Sequence, residues 1–560
     1  MEINVQIIIP MSGFGERFRR AGYSVPKPLI EIEGKPIVAH VIDMFPGETD
    51  FIFICNQDHL DHGEYHMAQI LQQYCPTGQI IGIAPHKFGP IHAVLQVLDQ
   101  VKVDSPVVVN YCDFTCYWDW GNFKKFAVDS GAAGIIPAYR GFHPHTLGTT
   151  NYAYLRENNE WAVDIQEKKP YTDNRMEEYA SSGTYYFATG ALMANALAAT
   201  VEQDLSLNGE YYVSLAYKFL FEKQLPVAIY PLQHFMQWGT PGDVAEYNEW
   251  SNIFKRLLRE DASSSHMAGH LVVPMAGLGQ RFAKEGYQLT KPLIPVSGRP
   301  MVMQATHDLP VARRPAYVLR TDMPGVDAII SQIRATYPAA VIATVPAVTE
   351  GQASTALVGL KELSRQSGQA IDQVTFGACD NGMLYDHQAY EALANNPDVD
   401  VIVWGVRQHT NAARYPHMYG WIDAVDGNIR EISVKVPLGH PEQDPIVIGT
   451  FTFRRGEDFV NAVARLIARD GRVNGEFYID SCINDALALG LRCKLFEVEN
   501  FISWGTPNDL KTFEYWQSCF HKWAEHPYRL QLDSRVCPDA LEDLEARYAA
   551  LVPVAPVIPA

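Results

Sequence analysis

The segment PMSGFGERFRRAGYSVPKPLIEIEGKP (Pro10–Pro36) gathers residues whose types suit anion binding. Gly13 and Gly15 follow an apolar run, Val5–Ile9, and let backbone amides approach an anion with no Cβ in the way. Arg17 adds a forked, permanently charged donor for phosphate oxygens. Lys27 adds a point charge on a backbone restrained by Pro26 and Pro28. Alone, G-x-G-x-R is equally a tight strand-to-loop turn carrying a solvated arginine. A dinucleotide fingerprint is disfavoured because Phe18 stands at the third glycine, and a P-loop is excluded because no G-K-[ST] follows.

Much of this stretch is written twice. IIIPMSGFGERFRRAGYSVPKPLIEIEGKPIV (Ile7–Val38) matches LVVPMAGLGQRFAKEGYQLTKPLIPVSGRPMV (Leu271–Val302) without a gap. Gly277, Gly279, Arg281 and Lys291 therefore repeat Gly13, Gly15, Arg17 and Lys27. NYCDF around Asp113 answers GACDN around Asp380, IQEKKP answers ISVKVP, NGEYYV answers NGEFYI, and WGTPGD answers WGTPND. The pattern implies tandem duplication of one large domain.

The combination G-x-G-x-R-[LF] followed by P-K-P-L-x-x-[VI]-x-G-[KR]-P resembles the signature of the sugar-phosphate nucleotidyltransferases, the NDP-sugar pyrophosphorylases and related cytidylyltransferases. The resemblance spans each copy from its first strand to W-G-T-P. It implies an α/β fold of tandem GT-A-like Rossmannoid domains with a mostly parallel central sheet. It also implies transfer of a nucleotidyl group from an NTP to a sugar-1-phosphate or similar phosphomonoester, with release of pyrophosphate. A role in surface polysaccharide precursor synthesis would follow. Carried over by position, it makes Gly13, Gly15, Gly277 and Gly279 the triphosphate loop, with Gly89 and Gly351 lining the base pocket. Arg17, Lys27, Arg281 and Lys291 become the catalytic cations. Asp113 and Asp380 become Mg²⁺ ligands. Glu167, Lys168, Gly183, Glu210, Lys435 and Glu476 become the acceptor pocket.

Two departures stand out. Where the family often has a second metal-binding aspartate, before the glycine of G-T-P, the chain has Gln237 and Ser503. Asp243 and Asp509, further on, are either helix caps or substitute ligands. Glu210 could instead cap or open a helix, and Trp238 and Trp504 are expected to pack beneath the W-G-T-P turn. In the second copy Val434 replaces Glu167, although Lys435 keeps the place of Lys168. Valine accepts no hydrogen bond, so this copy handles a different phosphomonoester, has lost its acceptor, or serves as a regulatory nucleotide-sugar-binding module. A glycosyltransferase is opposed by the lack of a second aspartate in CDF and CDN.

The elements that must position these residues are legible as β-branched runs alternating with amphipathic stretches. VQIIIP, FIFIC, QIIGIA and PVVVNY read as buried strands, with helices near Ile37–Phe45, His66–Tyr74 and Ile91–Val101. The expected domains are 1–258 and 270–520, joined by a polar linker at 259–269 and followed by a helical extension and tail at 521–560. The chain has 560 residues and a formal net charge of −19, which disfavours nucleic acid or an anionic membrane as a partner. Its nine cysteines have no metal-binding spacing and read as reduced thiols. With no signal peptide and no membrane-spanning run, the expectation is a soluble cytoplasmic enzyme, with homo-oligomerisation left open.

Overall fold

The structure, a computed structural model, describes residues 3–259, 269–310, 312 and 314–556. Residues 260–268 of the expected linker and 557–560 of the tail lie outside the described residues. The described residues form two compact units, the first drawn from the ranges 3–252, 515–529 and 547–556 and the second from 253–514 and 530–546. The segment after residue 514 is thus shared between the units.

Unit 1 is built on a ten-stranded sheet. Its parallel half runs Gln79–Ile83, Phe51–Asn56, Gln6–Met11, Val107–Asn110, and these strands hold the apolar runs read from the sequence. Ile8, Ile52, Val107 and Val109 are fully buried, as expected of strands covered on both faces. The next strand, Thr184–Phe187, runs antiparallel to both its neighbours, Val107–Asn110 and Gly134–Tyr139. Beyond it the sheet is mixed: Val227–Leu232 lies parallel to Gly134–Tyr139, and Trp161–Glu167, Ala153–Asn158 and Tyr179–Ser181 pair antiparallel. The parallel character read from the sequence therefore belongs to the half that carries the glycine loop.

The helices Ile37–Asp43 and Met67–Tyr74 form where expected. The third stops early: Pro90–Leu95 is α-helical and Leu98–Gln100 is a 3-10 turn. Pro90 sits at the helix start, where its missing N–H costs nothing.

Unit 2 orders its strands Val341–Val345, Pro315–Arg320, His270–Pro274, Val374–Phe376, Ile446–Phe453, Val401–Val406, Cys493–Glu497, Asn428–Val434, Gly420–Val425. Each stands where its sequence counterpart stands in unit 1. A small antiparallel pair completes each site, Phe114–Tyr117 with His234–Gln237 and Asn381–Leu384 with Asn500–Ser503. These pairs bring W-G-T-P against the strand-end aspartate: Trp238 N–H donates to Asp113 O at 2.7 Å and Trp504 N–H to Asp380 O at 2.9 Å. Both tryptophans are buried beneath the turn.

Candidate active site

In unit 1 the parallel strands end in two adjoining cavities of about 680 and 430 Å³. Both are lined by Gly15, Lys27, Tyr111, Asp113, Glu210 and Tyr212, so the two form one cleft. At the junction Lys27 Nζ donates to Asp113 Oδ2 at 2.9 Å. Burial disfavours the charge on Lys27, but Asp113 more than offsets that, and Lys27 sits above the ordinary lysine range.

The larger cavity holds the glycine loop. Gly15 adopts φ +61, a left-handed conformation that favours glycine, and starts the short helix Glu16–Arg20. A Cβ on Gly13 would meet nothing within 4 Å, so that backbone faces open space. Gly89 lines the same cavity with φ +86, and a Cβ there would fall 2.7 Å from Tyr211 N. Glycine is required at that position because the NGEYY segment packs on its backbone: Tyr211 N–H donates to Phe88 O, and Ile91 N–H to Tyr211 O. Arg19, Arg20, His86 and Lys87 complete the lining, and Glu16 pairs with Arg19 and Arg20.

The smaller cavity collects Arg17, Glu167, Lys168, Gly183 and Asp243. Arg17 lines this cavity and not the larger one, although Gly15 of the same loop borders both. Neighbouring residues on a helix point in different directions, and only Arg19 and Arg20 turn back to Glu16. Ser214 Oγ donates to Glu167 Oε2 at 2.6 Å and fixes that carboxylate. Burial raises the Glu167 carboxyl above the ordinary range. Lys168 Nζ donates to Tyr212 Oη at 2.6 Å, and Tyr212 Oη donates to Glu210. Gly183, at φ +99, would bring a Cβ within 3.1 Å of Phe114 and Tyr111. Glu210 opens no helix: Asn208 and Gly209 have φ +55 and +79, and Glu210 closes their turn by donating N–H to Leu207 O.

Asp243 and Asp509 act as caps. Thr240 N–H and Oγ1–H donate to Asp243 Oδ2 at 2.8 and 2.7 Å, and Asp243 N–H returns to Thr240 Oγ1. This is a capping box on the helix Pro241–Leu257. Thr506 and Asp509 repeat it on Pro507–Lys522. A Cβ on Gly239 would nonetheless lie 3.2 Å from Asp113 Oδ2 and 3.9 Å from Asp243 Oδ2, so both carboxylates face this glycine. The Asp113 carboxylate, at the junction of the two cavities, suits a hard cation such as Mg²⁺, whereas Asp243 Oδ2 is already engaged by the cap.

Unit 2 brings Gly277, Gly279, Lys291, Gly351, Asp380 and Glu476 around a smaller cavity of about 260 Å³. Lys291 pairs with Asp380 and is likewise held above the ordinary lysine range, burial being more than offset by that carboxylate. Gly279 adopts φ +62, and Gly351, at φ +133, would bring a Cβ 2.5 Å from Phe477 N. Arg281 is exposed. Lys435 lies apart from this cavity's lining and donates to Met418 O. Val434 packs against the core of unit 2.

Sequence reasoning missed Tyr212 and Ser214, which hold Lys168 and Glu167. Both lie within a few residues of Glu210, but neither type signals a role until the strand Trp161–Glu167 is folded beside it.

The family model described as nucleotidyl transferase matches residues 6–217. A mannose-1-phosphate guanyltransferase of Gibberella zeae is 26% identical over 195 residues, 33% of this chain and 50% of that protein. A mannose-1-phosphate guanyltransferase 2 of Candida glabrata is 28% identical over 159 residues, 26% of this chain and 42% of that protein. The chain spans about half the length of the curated relatives it matches. A nucleoside-diphosphate-sugar pyrophosphorylase structure from Vibrio cholerae RC9 aligns at TM-score 0.36 and 20% identity, over 43% of this chain and 98% of its own.

Proposed function

Unit 1 carries a nucleotidyl transferase domain at residues 6–217, and from that premise we propose that the chain transfers a nucleotidyl group from an NTP to a sugar-1-phosphate. The product would be a nucleotide-activated sugar, the form consumed in polysaccharide assembly. The observation that carries this reading is the Lys27–Asp113 pair at the junction of two cavities, one walled by the glycine loop and one by Glu167 and Lys168.

In the reaction a phosphate oxygen of the acceptor attacks the α-phosphorus and a new P–O bond forms. The bond from the α-phosphorus to the oxygen bridging to the β-phosphate breaks, and pyrophosphate leaves with that electron pair. Both reactants are polyanions in an acidic chain, so cations must offset their repulsion. The glycine loop, with Lys87, Arg19 and Arg20 nearby, holds the triphosphate. Lys27 stands where the two substrates meet and stabilises charge at the α-phosphate. Lys168, steadied by Tyr212, binds the acceptor phosphate together with Arg17, and Glu167 accepts a sugar hydroxyl. Asp113 would hold Mg²⁺, which when bound supplies charge neutralisation to the phosphate oxygens.

The names of these relatives make GTP with mannose 1-phosphate the first pair to try. Pyrophosphate release is measured with Mg²⁺, each of the four NTPs and a panel of sugar 1-phosphates. The expectation is release with at least one pair by the wild type and a reduced rate in Asp113→Ala. Equal release from both proteins would remove Asp113 from the site, and no release with any pair would sink the transfer reading. A second reading, unit 2 as a binding module without turnover, is favoured by its smaller cavity and by Val434.

A further inference from the structure

The loss of Glu167 in unit 2 is accompanied by a gain on a different element. Ser214, which holds Glu167 in unit 1, follows NGEYYV; the residue in the same place after NGEFYI is Asp480. In unit 1 the carboxylate is on a strand and its hydroxyl partner lies on the 3-10 turn Val213–Ala216. In unit 2 the strand residue is the apolar Val434, and the carboxylate belongs to the first turn of the helix Ile479–Ala488.

The sheet register shows where that carboxylate lies. Glu167 pairs across the sheet with Ala153, and Val434 pairs with Gly420. A Cβ on Gly420, such as Ala153 carries, would fall 2.4 Å from Asp480 Oδ2. The glycine thus vacates the volume that Asp480 fills, directly across from Val434. Asp480 is also near enough to Lys435 for the two charges to interact, and Lys435 in turn feels Glu476 and Arg281. A carboxylate serving only the helix start would need neither the glycine nor this company.

We propose that Asp480 takes the acceptor-binding role of Glu167 in unit 2, receiving a hydroxyl of a phosphomonoester whose phosphate is bound by Lys435 and Arg281. This rests on the transfer reading given for unit 1. With the carboxylate entering from the helix and Val434 closing the strand side, unit 2 selects a hydroxyl pattern different from that of unit 1.

The test uses the full chain carrying Asp113→Ala, so that only unit 2 keeps its strand-end aspartate. Pyrophosphate release is followed with the four NTPs and a panel of hexose, deoxyhexose and polyol phosphates. Release is expected to persist, with an acceptor preference unlike that of the Asp380→Ala chain. Adding Asp480→Asn, which keeps the size of the side chain, should raise KM for the acceptor about tenfold or more, with KM for the NTP little changed. The triple variant Asp113→Ala/Val434→Glu/Asp480→Ser rebuilds the unit 1 pair and should move the acceptor preference toward that of unit 1. Release by wild type that vanishes in Asp113→Ala leaves unit 1's reaction standing and overturns the proposal. An acceptor KM unmoved by Asp480→Asn also overturns it. No release from the wild type defeats the reading for unit 1, and this proposal with it.

Discussion

At the scale of single residues, the account depends on charges kept in poor solvation. Lys27 and Lys291 remain protonated because Asp113 and Asp380 outweigh the cost of burial. Lys27→Met would leave Asp113 without its partner and remove the cation at the junction. A fall in kcat of roughly 100-fold or more is expected, with a smaller change in the KM of either substrate, measured by pyrophosphate release. Glu167 illustrates the opposite balance. Its folded pKa is raised, so its contribution to stability is fully present below the ordinary carboxylate range and is lost as pH rises through the folded value. Glu167→Gln keeps an acceptor for Ser214 but removes the charge. Thermal melts should therefore find the variant more stable than wild type at pH 7, by roughly 1–3 °C, with the gain fading toward pH 4. The same variant should bind the acceptor more weakly. A variant both less stable at pH 7 and unchanged in acceptor KM would mean that Glu167 serves the fold. Lys27 and Asp113 were legible in the sequence because P-K-P-L and the strand-end aspartate are local patterns. The side of the cleft that Arg17 faces was not, since a five-residue helix offers no periodicity to read.

At the scale of elements, turns and helix starts carry the site. Gly89 must be glycine twice over: its φ is +86, and Tyr211 leaves no room for a Cβ. Gly89→Ala is expected to destabilise unit 1 by roughly 1–3 kcal/mol in denaturant unfolding. Because the displaced segment carries Glu210 and Tyr212, acceptor binding should weaken as well. The capping box makes a separate prediction. Thr240→Ala should cost about 1 kcal/mol, whereas Asp243→Asn preserves the accepting oxygen and should leave the Mg²⁺ concentration for half-maximal rate unchanged. A tenfold rise in that concentration would identify Asp243 as a metal ligand. The parallel strands were legible because strands covered on both faces are apolar throughout. The antiparallel insertion of Thr184–Phe187 was not, since TYYF reads alike in either direction.

At the scale of the whole molecule, the repeated sequence corresponds to two sheets that share the order of nine strands, unit 1 adding Tyr179–Ser181 at one edge. The sharing of residues 515–556 between the units could not be read from the sequence, because that segment has no counterpart to align with. Among the described residues no helix is long and apolar enough to cross a membrane. Asp480 was equally hidden: it becomes visible only when the two copies are laid together and Gly420 is seen to make room for it. If both units transfer, Asp113→Ala and Asp380→Ala should each remove part of the pyrophosphate released from mixed substrates, and the double variant nearly all of it. The central claim is that the acceptor's own phosphate oxygen attacks the NTP at Lys27 and Asp113. A sugar 1-phosphate labelled with ¹⁸O in its phosphate, followed by mass spectrometry of the products, tests this most directly. The account predicts label in the nucleotide sugar and none in the pyrophosphate, with both products lost from unit 1's substrate pair in Asp113→Ala. Label in the pyrophosphate, or an undiminished nucleotide sugar from that variant, would contradict it.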